Sequence, residues 1–183
     1  SSLLTTSDGD KIANPKHFNR LYQKLKVAQK LLSRKTKGSN NRYKARLEVA
    51  KIHAQIKDAR TDFLHKLTTD LVRKNSVIAI EDLAIRNMVR NRKLARSISD
   101  AAWGEMFRQL EYKCEWYGRE LVKIERFFPS SKRCNHCGFV MDKMSLDIRS
   151  WDSPSCKTLG IVRDIYAGKN ILAAGLAVIV CGS

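Results

Sequence analysis

The sequence predicts a mixed α/β fold, strands separated by helices, and three observations point to it. A short apolar run rich in β-branched residues, Ser76-Val-Ile-Ala-Ile80, reads as a strand buried on both faces and ends on Glu81-Asp82. A second strand pattern, Glu120 to Phe128, alternates apolar and polar residues. Long stretches with the 3.6-residue apolar period lie before and between them.

Taken in order, Leu3 to Asp10 reads as a strand running into a turn at Asp8-Gly9. From Pro15 the period becomes helical, with Phe18, Leu21, Leu25, Ala28 and Leu32 on one face. Lys37-Gly38-Ser39-Asn40 breaks it. A second helix follows from about 40 to 73, with Ala45, Val49, Ile52, Ile56, Ala59, Phe63 and Leu67 as its stripe. At 1.5 Å per residue it is roughly 50 Å long. The pair forms a helical hairpin, apolar inside and basic outside. Ser99 or Asp100 opens a further helix whose inner side carries Trp103, Phe107, Leu110, Cys114 and Tyr117. A last helix begins at Asp164. The expected division is 1–129 for a core that includes the hairpin at about 15–74, 130–157 for a cysteine module, and 158–183 for the final helix and tail.

Charge bounds the function. The net charge is +17 and the pI about 10.0, which calls for a polyanionic partner. Residues 15–74 hold 17 Lys/Arg against 4 Asp/Glu, and residues 85–96 hold five cations and no acid. The cations expected to meet phosphate are Lys24, Lys35, Arg42 and Arg46 in the hairpin, then Arg86, Arg90, Arg92, Lys93 and Arg96. No membrane partner is expected, because no apolar run is read as long enough to span a bilayer; Leu172 to Cys181 is about half that length. Without a signal peptide and with an odd count of five cysteines, the expected setting is cytoplasmic, with metal-bound or free thiols rather than disulfides.

The sharpest signal lies between Cys134 and Cys156. Cys134-x2-Cys137 is followed, after 15 residues, by Ser153-Pro-Ser-Cys156. Were Ser153 a cysteine, this would be a zinc-ribbon spacing. Structural zinc takes four Cys or His ligands, so the fourth place falls to water, His136, a remote residue such as Cys181, or the Ser153 hydroxyl. Serine is a poor zinc ligand and His136 sits inside its own loop, so weakened zinc binding is expected. Two acids stand out as well. Glu81 ends an apolar strand, where ligands of open α/β sheets gather, and Asp164 starts a helix. As plain structure they would be a strand-end turn and an N-cap; brought together, they would suit magnesium.

These motifs, in order, resemble the OrfB/TnpB proteins of insertion sequences. The matching parts are TSDGDKIANPKHF (6–18), ARTDFLHKLTTDLV (59–72), VIAIEDL (77–83), the stretch from Met88 to Leu121, SSKRCNHCG (130–138) and RDIYAGKNILAAGL (163–176). The resemblance implies an RNA-guided DNA nuclease with a RuvC-like domain of the ribonuclease H fold and an inserted zinc ribbon. Its implied catalytic carboxylates are Glu81 and Asp164, holding Mg2+, with Arg163 preceding the aspartate. Cys134, Cys137 and Cys156 match three Zn2+ ligands, and DNA and a guide RNA are the implied partners. There are departures. The family's first catalytic aspartate would lie just upstream of Ser1, the run before Asp164 reads Ile161-Val162-Arg163, and Tyr166-Ala167-Gly168 replaces Asn-Ala-Ala. The chain is therefore expected to be an eroded copy, inactive as a nuclease by itself yet still able to bind nucleic acid. A nuclease-dead repressor is the alternative reading. A zinc-ribbon module without nuclease ancestry ranks last, since it leaves VIAIEDL and RDIYAGKNIL unexplained.

Overall fold

A computed structural model describes the chain except residues 1, 16, 91–94, 96–100, 146, 182 and 183, and for 17, 18, 86 and 89 the backbone alone. The fold is mixed α/β, with three two-stranded sheets among the described residues. Its contacts group into two compact units, residues 1–14, 72–84 and 111–183 in one, residues 15–71 and 85–110 in the other.

In the first unit, β1 (Ser2–Thr5) pairs antiparallel with β2 (Lys11–Ala13), a strand that the sequence pattern does not reveal. The turn between them closes through Thr6 N–H donating to the Asp10 carbonyl at 2.9 Å, with Gly9 at φ +97°. A side chain with a Cβ would be strained at that φ, so glycine fits there. The central pair is parallel: β3 (Val77–Glu81) runs beside β4 (Glu120–Ile124), Val77 opposite Glu120 and Glu81 opposite Ile124. The expectation that β3 is buried on both faces is corrected. All five of its residues are half-buried, because among the described residues it pairs with one strand and is covered by a helix on one face.

That helix is α5 (Arg163–Cys181), preceded by the small antiparallel pair β5 (Ser150–Trp151) and β6 (Ile161–Val162). It packs on β3 and β4 at Gly175, where an added Cβ would stand 2.6 Å from the Ala79 Cβ. The apolar run of the C-terminus is thus the second half of a longer helix. At 19 residues, α5 is long and apolar enough to cross a membrane by length and composition, which corrects the expectation drawn from the run alone.

The second unit holds the helical hairpin, α1 (His17–Ser33) and the first part of α2 (Asn40–Lys74). Gly38 turns the chain at φ +84°, and the Ser39 hydroxyl caps α2 by accepting from Arg42 N–H at 3.2 Å. Leu25, Ala28, Ile52 and Ile56 form its core, with Leu21 and Val49 against them. Beyond Ile56 the stripe departs from expectation: Ala59 is exposed, and Leu64 and Thr68 are buried instead of Phe63 and Leu67. Positions 52, 56, 60, 64 and 68 form an i, i+4 row, which drifts around a helix of 3.6 residues per turn. The later buried residues therefore face a different partner, and Thr68 meets Gln109 of α4 (Trp103–Trp116). The unit also holds α3 (Ile85–Val89).

Candidate acidic site and cysteine centre

Glu81 closes β3, and its carboxylate accepts a hydrogen bond from the Ser130 hydroxyl. Ser130 opens a single 3-10 turn, Ser130–Lys132, and is itself buried. Asn170 of α5 holds that turn from behind, its amide donating to the Ser130 carbonyl at 2.9 Å and to the Arg133 carbonyl at 2.7 Å. Its side-chain oxygen accepts from Asn135 at 3.1 Å. Ser130 and Asn170 therefore connect the strand acid to the cysteine module. Sequence reasoning passes over both, because their partners lie 40 or more residues away. Asp82, next to Glu81, pairs instead with Arg126.

Asp164 stands in the first turn of α5 and lines a cavity of about 790 Å³ with Ser2, Thr5, Lys11, Arg149 and Gly168. Glu81 is not among the residues lining it. Both acids lie in the first unit, on a strand and a helix that pack together. Arg163 points elsewhere, its guanidinium donating to the Ser145 carbonyl at 3.0 Å and the Ile148 carbonyl at 3.4 Å. It ties the start of α5 to the cysteine module.

Among the described residues, Cys134, Cys137 and Cys156 gather with their sulfurs within 4.8 Å of one another. Cys134 and Cys156 stand 3.7 Å apart, close to the edge of about 3.8 Å that a tetrahedron with Zn–S bonds of about 2.3 Å requires. The donor set fits a thiophilic ion, and the three cysteines could hold a metal such as zinc. Cys134 is fully buried against Trp151 and Ile161, with Phe139, Met141 and Met144 around it. The Cys156 thiol is held down to about 6, chiefly by the hydroxyl of Ser153 and then by that of Thr158. Cys137 is lowered too, first by Ser153. The other fourth-ligand candidates do not join the group: the His136 ring lies beside Tyr166, 6.4 Å between centroids, and Cys181 is exposed at the end of α5.

The basic candidates divide. Lys24, Lys35, Arg46 and Arg90 are exposed. Lys24 also borders an apolar cavity of about 450 Å³ between α1 and α2 with Val27 and Ile52. Arg42 is structural in part: its guanidinium donates to the carbonyls of Leu32 at 3.2 Å and Lys35 at 3.1 Å, satisfying groups that the end of α1 leaves open. The side chain of Arg86 and all of Arg92, Lys93 and Arg96 lie outside the described residues.

A family model described as "Probable transposase" (OrfB_IS605) matches residues 1–92, and one described as "Cas12f1-like, TNB domain" matches residues 103–171. A "Putative RNA-guided DNA endonuclease" of Streptomyces pristinaespiralis is 56% identical over the whole chain, which spans 45% of that protein. "Putative RNA-guided DNA endonuclease InsQ" of Escherichia coli K12 is 35% identical, again over the whole chain and 48% of the relative. A Mycobacterium tuberculosis protein, also named "Putative RNA-guided DNA endonuclease", is 36% identical over 76% of the chain and 33% of its own length. The chain thus spans about half the length of the first two relatives, or less. With one family model covering residues 1–92 and the same ordered motifs throughout, the chain belongs to the OrfB/TnpB family of insertion-sequence proteins.

Proposed function

We propose that this chain is the nuclease-bearing segment of an RNA-guided DNA endonuclease, with a RuvC-like domain of the ribonuclease H fold. The observation that carries the reading is the parallel pair β3–β4, ending on Glu81, with the Asp164 helix packed on it. Glu81 and Asp164 are the carboxylates that would hold Mg2+, which would stabilise charge on the phosphodiester undergoing cleavage. The cysteine centre is a zinc ribbon braced on α5 by Asn170 and Arg163, so it holds the segment around Asp164 in place. Exposed cations of the hairpin, with Arg90 after β3, follow the phosphates of DNA and guide RNA.

A second reading, a nuclease-dead nucleic-acid-binding protein, is favoured by one observation. The Glu81 carboxylate is engaged by Ser130 and does not line the cavity of Asp164. On either reading the chain binds nucleic acid through its exposed cations.

The test is binding of a labelled single-stranded DNA and an RNA hairpin across a salt series, with Mg2+ present and products resolved on a gel. Binding should weaken steeply as salt rises, with log K falling linearly in log salt; cut strands favour the first reading and intact strands the second. Absence of binding at low salt would sink both readings, whereas cleavage by this chain alone would remove the second.

A further inference from the structure

The backbone around Cys134 and that around Ser153 are the same turn. Cys134 N–H donates to the Phe139 carbonyl at 2.8 Å, and its own carbonyl accepts from Gly138 N–H at 2.9 Å. Ser153 N–H donates to the Thr158 carbonyl at 2.9 Å, and its carbonyl accepts from Lys157 N–H at 3.0 Å. Each turn passes through the left-handed region at the equivalent residue, Gly138 at φ +75° and Lys157 at φ +56°. Lysine is rarely found there, because its Cβ crowds the backbone. The second turn thus keeps a strained form, although its first residue is no longer a cysteine.

Ser153 occupies the place of a first ligand in every respect that the structure records. It is 2% exposed, as Cys134 is 0% exposed, and its hydroxyl lies 3.5 Å from the Cys137 sulfur. The backbone N–H of Cys156 points at the same oxygen, 3.5 Å away. For a tetrahedral zinc with Zn–S about 2.3 Å and Zn–O about 2.1 Å, adjacent sulfur and oxygen stand about 3.6 Å apart. A buried hydroxyl needs a partner, and this one faces the thiols of Cys137 and Cys156.

We propose that Ser153 Oγ is the fourth donor of a closed three-sulfur, one-oxygen metal centre, so that the substitution alters the ligand set without opening the site to water. This rests on the zinc reading given above. Of the fourth-ligand candidates that the sequence leaves open, it selects the Ser153 hydroxyl. A closed site excludes exogenous ligands, whereas a three-thiolate site with a bound water exchanges that water readily.

The test uses Co2+ as a visible probe of the site in the full chain, in the native protein and in Ser153→Cys and Ser153→Ala. The native protein should bind one Co2+ with the intense bands of tetrahedral geometry, and added imidazole should leave them unchanged. Ser153→Ala should bind more weakly, and its bands should shift with imidazole. In Ser153→Cys the thiolate charge-transfer intensity should rise by about a third, as three sulfurs become four. If imidazole shifts the native bands, Ser153 is not a ligand, a result that needs no variant. If only Ser153→Cys binds Co2+, the serine proposal falls while the zinc ancestry of the module stands. If neither the native protein nor Ser153→Cys binds Co2+, the zinc reading itself fails.

Discussion

Gly175 is the closest approach of α5 to the strands, since a Cβ there would fall 2.6 Å from the Ala79 Cβ. Neither atom can give way, one being a strand methyl and the other fixed to a helix backbone. Gly175→Ala should therefore overpack the interface, a cost of about 1–3 kcal/mol, against a helix-propensity gain of about 1 kcal/mol. The expected net result is a lower denaturant midpoint; an unchanged or raised midpoint would mean that α5 does not seat on β3 as described. Gly168 is a gentler case, with a Cβ meeting the Thr6 carbonyl oxygen at 3.1 Å. That contact gives a physical reason for glycine where the family resemblance implies alanine. At this scale the cysteines were legible, because a metal centre needs fixed short spacings. Ser130 and Asn170 were not, since nothing local distinguishes a hydrogen bond whose partner is 40 residues away.

At the scale of elements, α4 and α2 meet through a polar pair in an otherwise apolar setting. The Thr68 hydroxyl donates to the Leu64 carbonyl at 2.7 Å and lies 3.1 Å from the side-chain oxygen of Gln109. Gln109 in turn donates to Glu105, which Arg108 grips with two nitrogens at 2.7 and 3.0 Å. Arg108 above all holds the Glu105 carboxyl down to about 2 from an ordinary 4.5; burial opposes it, and Gln109 adds a smaller lowering. A lowered folded-state value stabilises the fold above the unfolded value and is lost as pH falls through the folded one. Stability should thus decline between about pH 4.5 and 2, and Glu105→Gln should flatten that part of the curve. An acid-unfolding profile identical in the two proteins would contradict the network.

The hairpin shows both what pattern reading reaches and where it stops. Its two helices, their break and their basic faces follow from the 3.6-residue period and from Gly38 and Ser39. The rotation of the buried face beyond Ile56 does not, because it depends on α4 as a second partner. The cations also differ in role. Replacing Lys24, Lys35 or Arg46 singly with Ala should each reduce the salt slope of nucleic-acid binding by about 1 if that residue meets a phosphate. Arg42→Ala should also lower the thermal midpoint, because Arg42 satisfies the carbonyls of Leu32 and Lys35. Salt slopes equal to the native value in all four variants would place the nucleic acid elsewhere on the chain.

Across the whole molecule, the α/β class and the family were legible from the order of the motifs alone, and the match to residues 1–92 and 103–171 agrees with that order. The small sheets are less legible. β2, β5 and β6 have three residues or fewer, too short to show a period. The cysteine module and the acidic strand, separate motifs in the sequence, are joined in space through Ser130 and Asn170. That connection would couple a metal held by the three cysteines to the surroundings of Glu81. The central claim is that this segment carries the nuclease carboxylates. It is tested most directly by placing the chain in the Streptomyces pristinaespiralis relative, in place of the matching 45%, and measuring RNA-guided DNA cleavage. The expected result is cleavage that falls to background in Glu81→Gln and in Asp164→Asn, with DNA binding retained in both. Cleavage undiminished in either variant would contradict the claim.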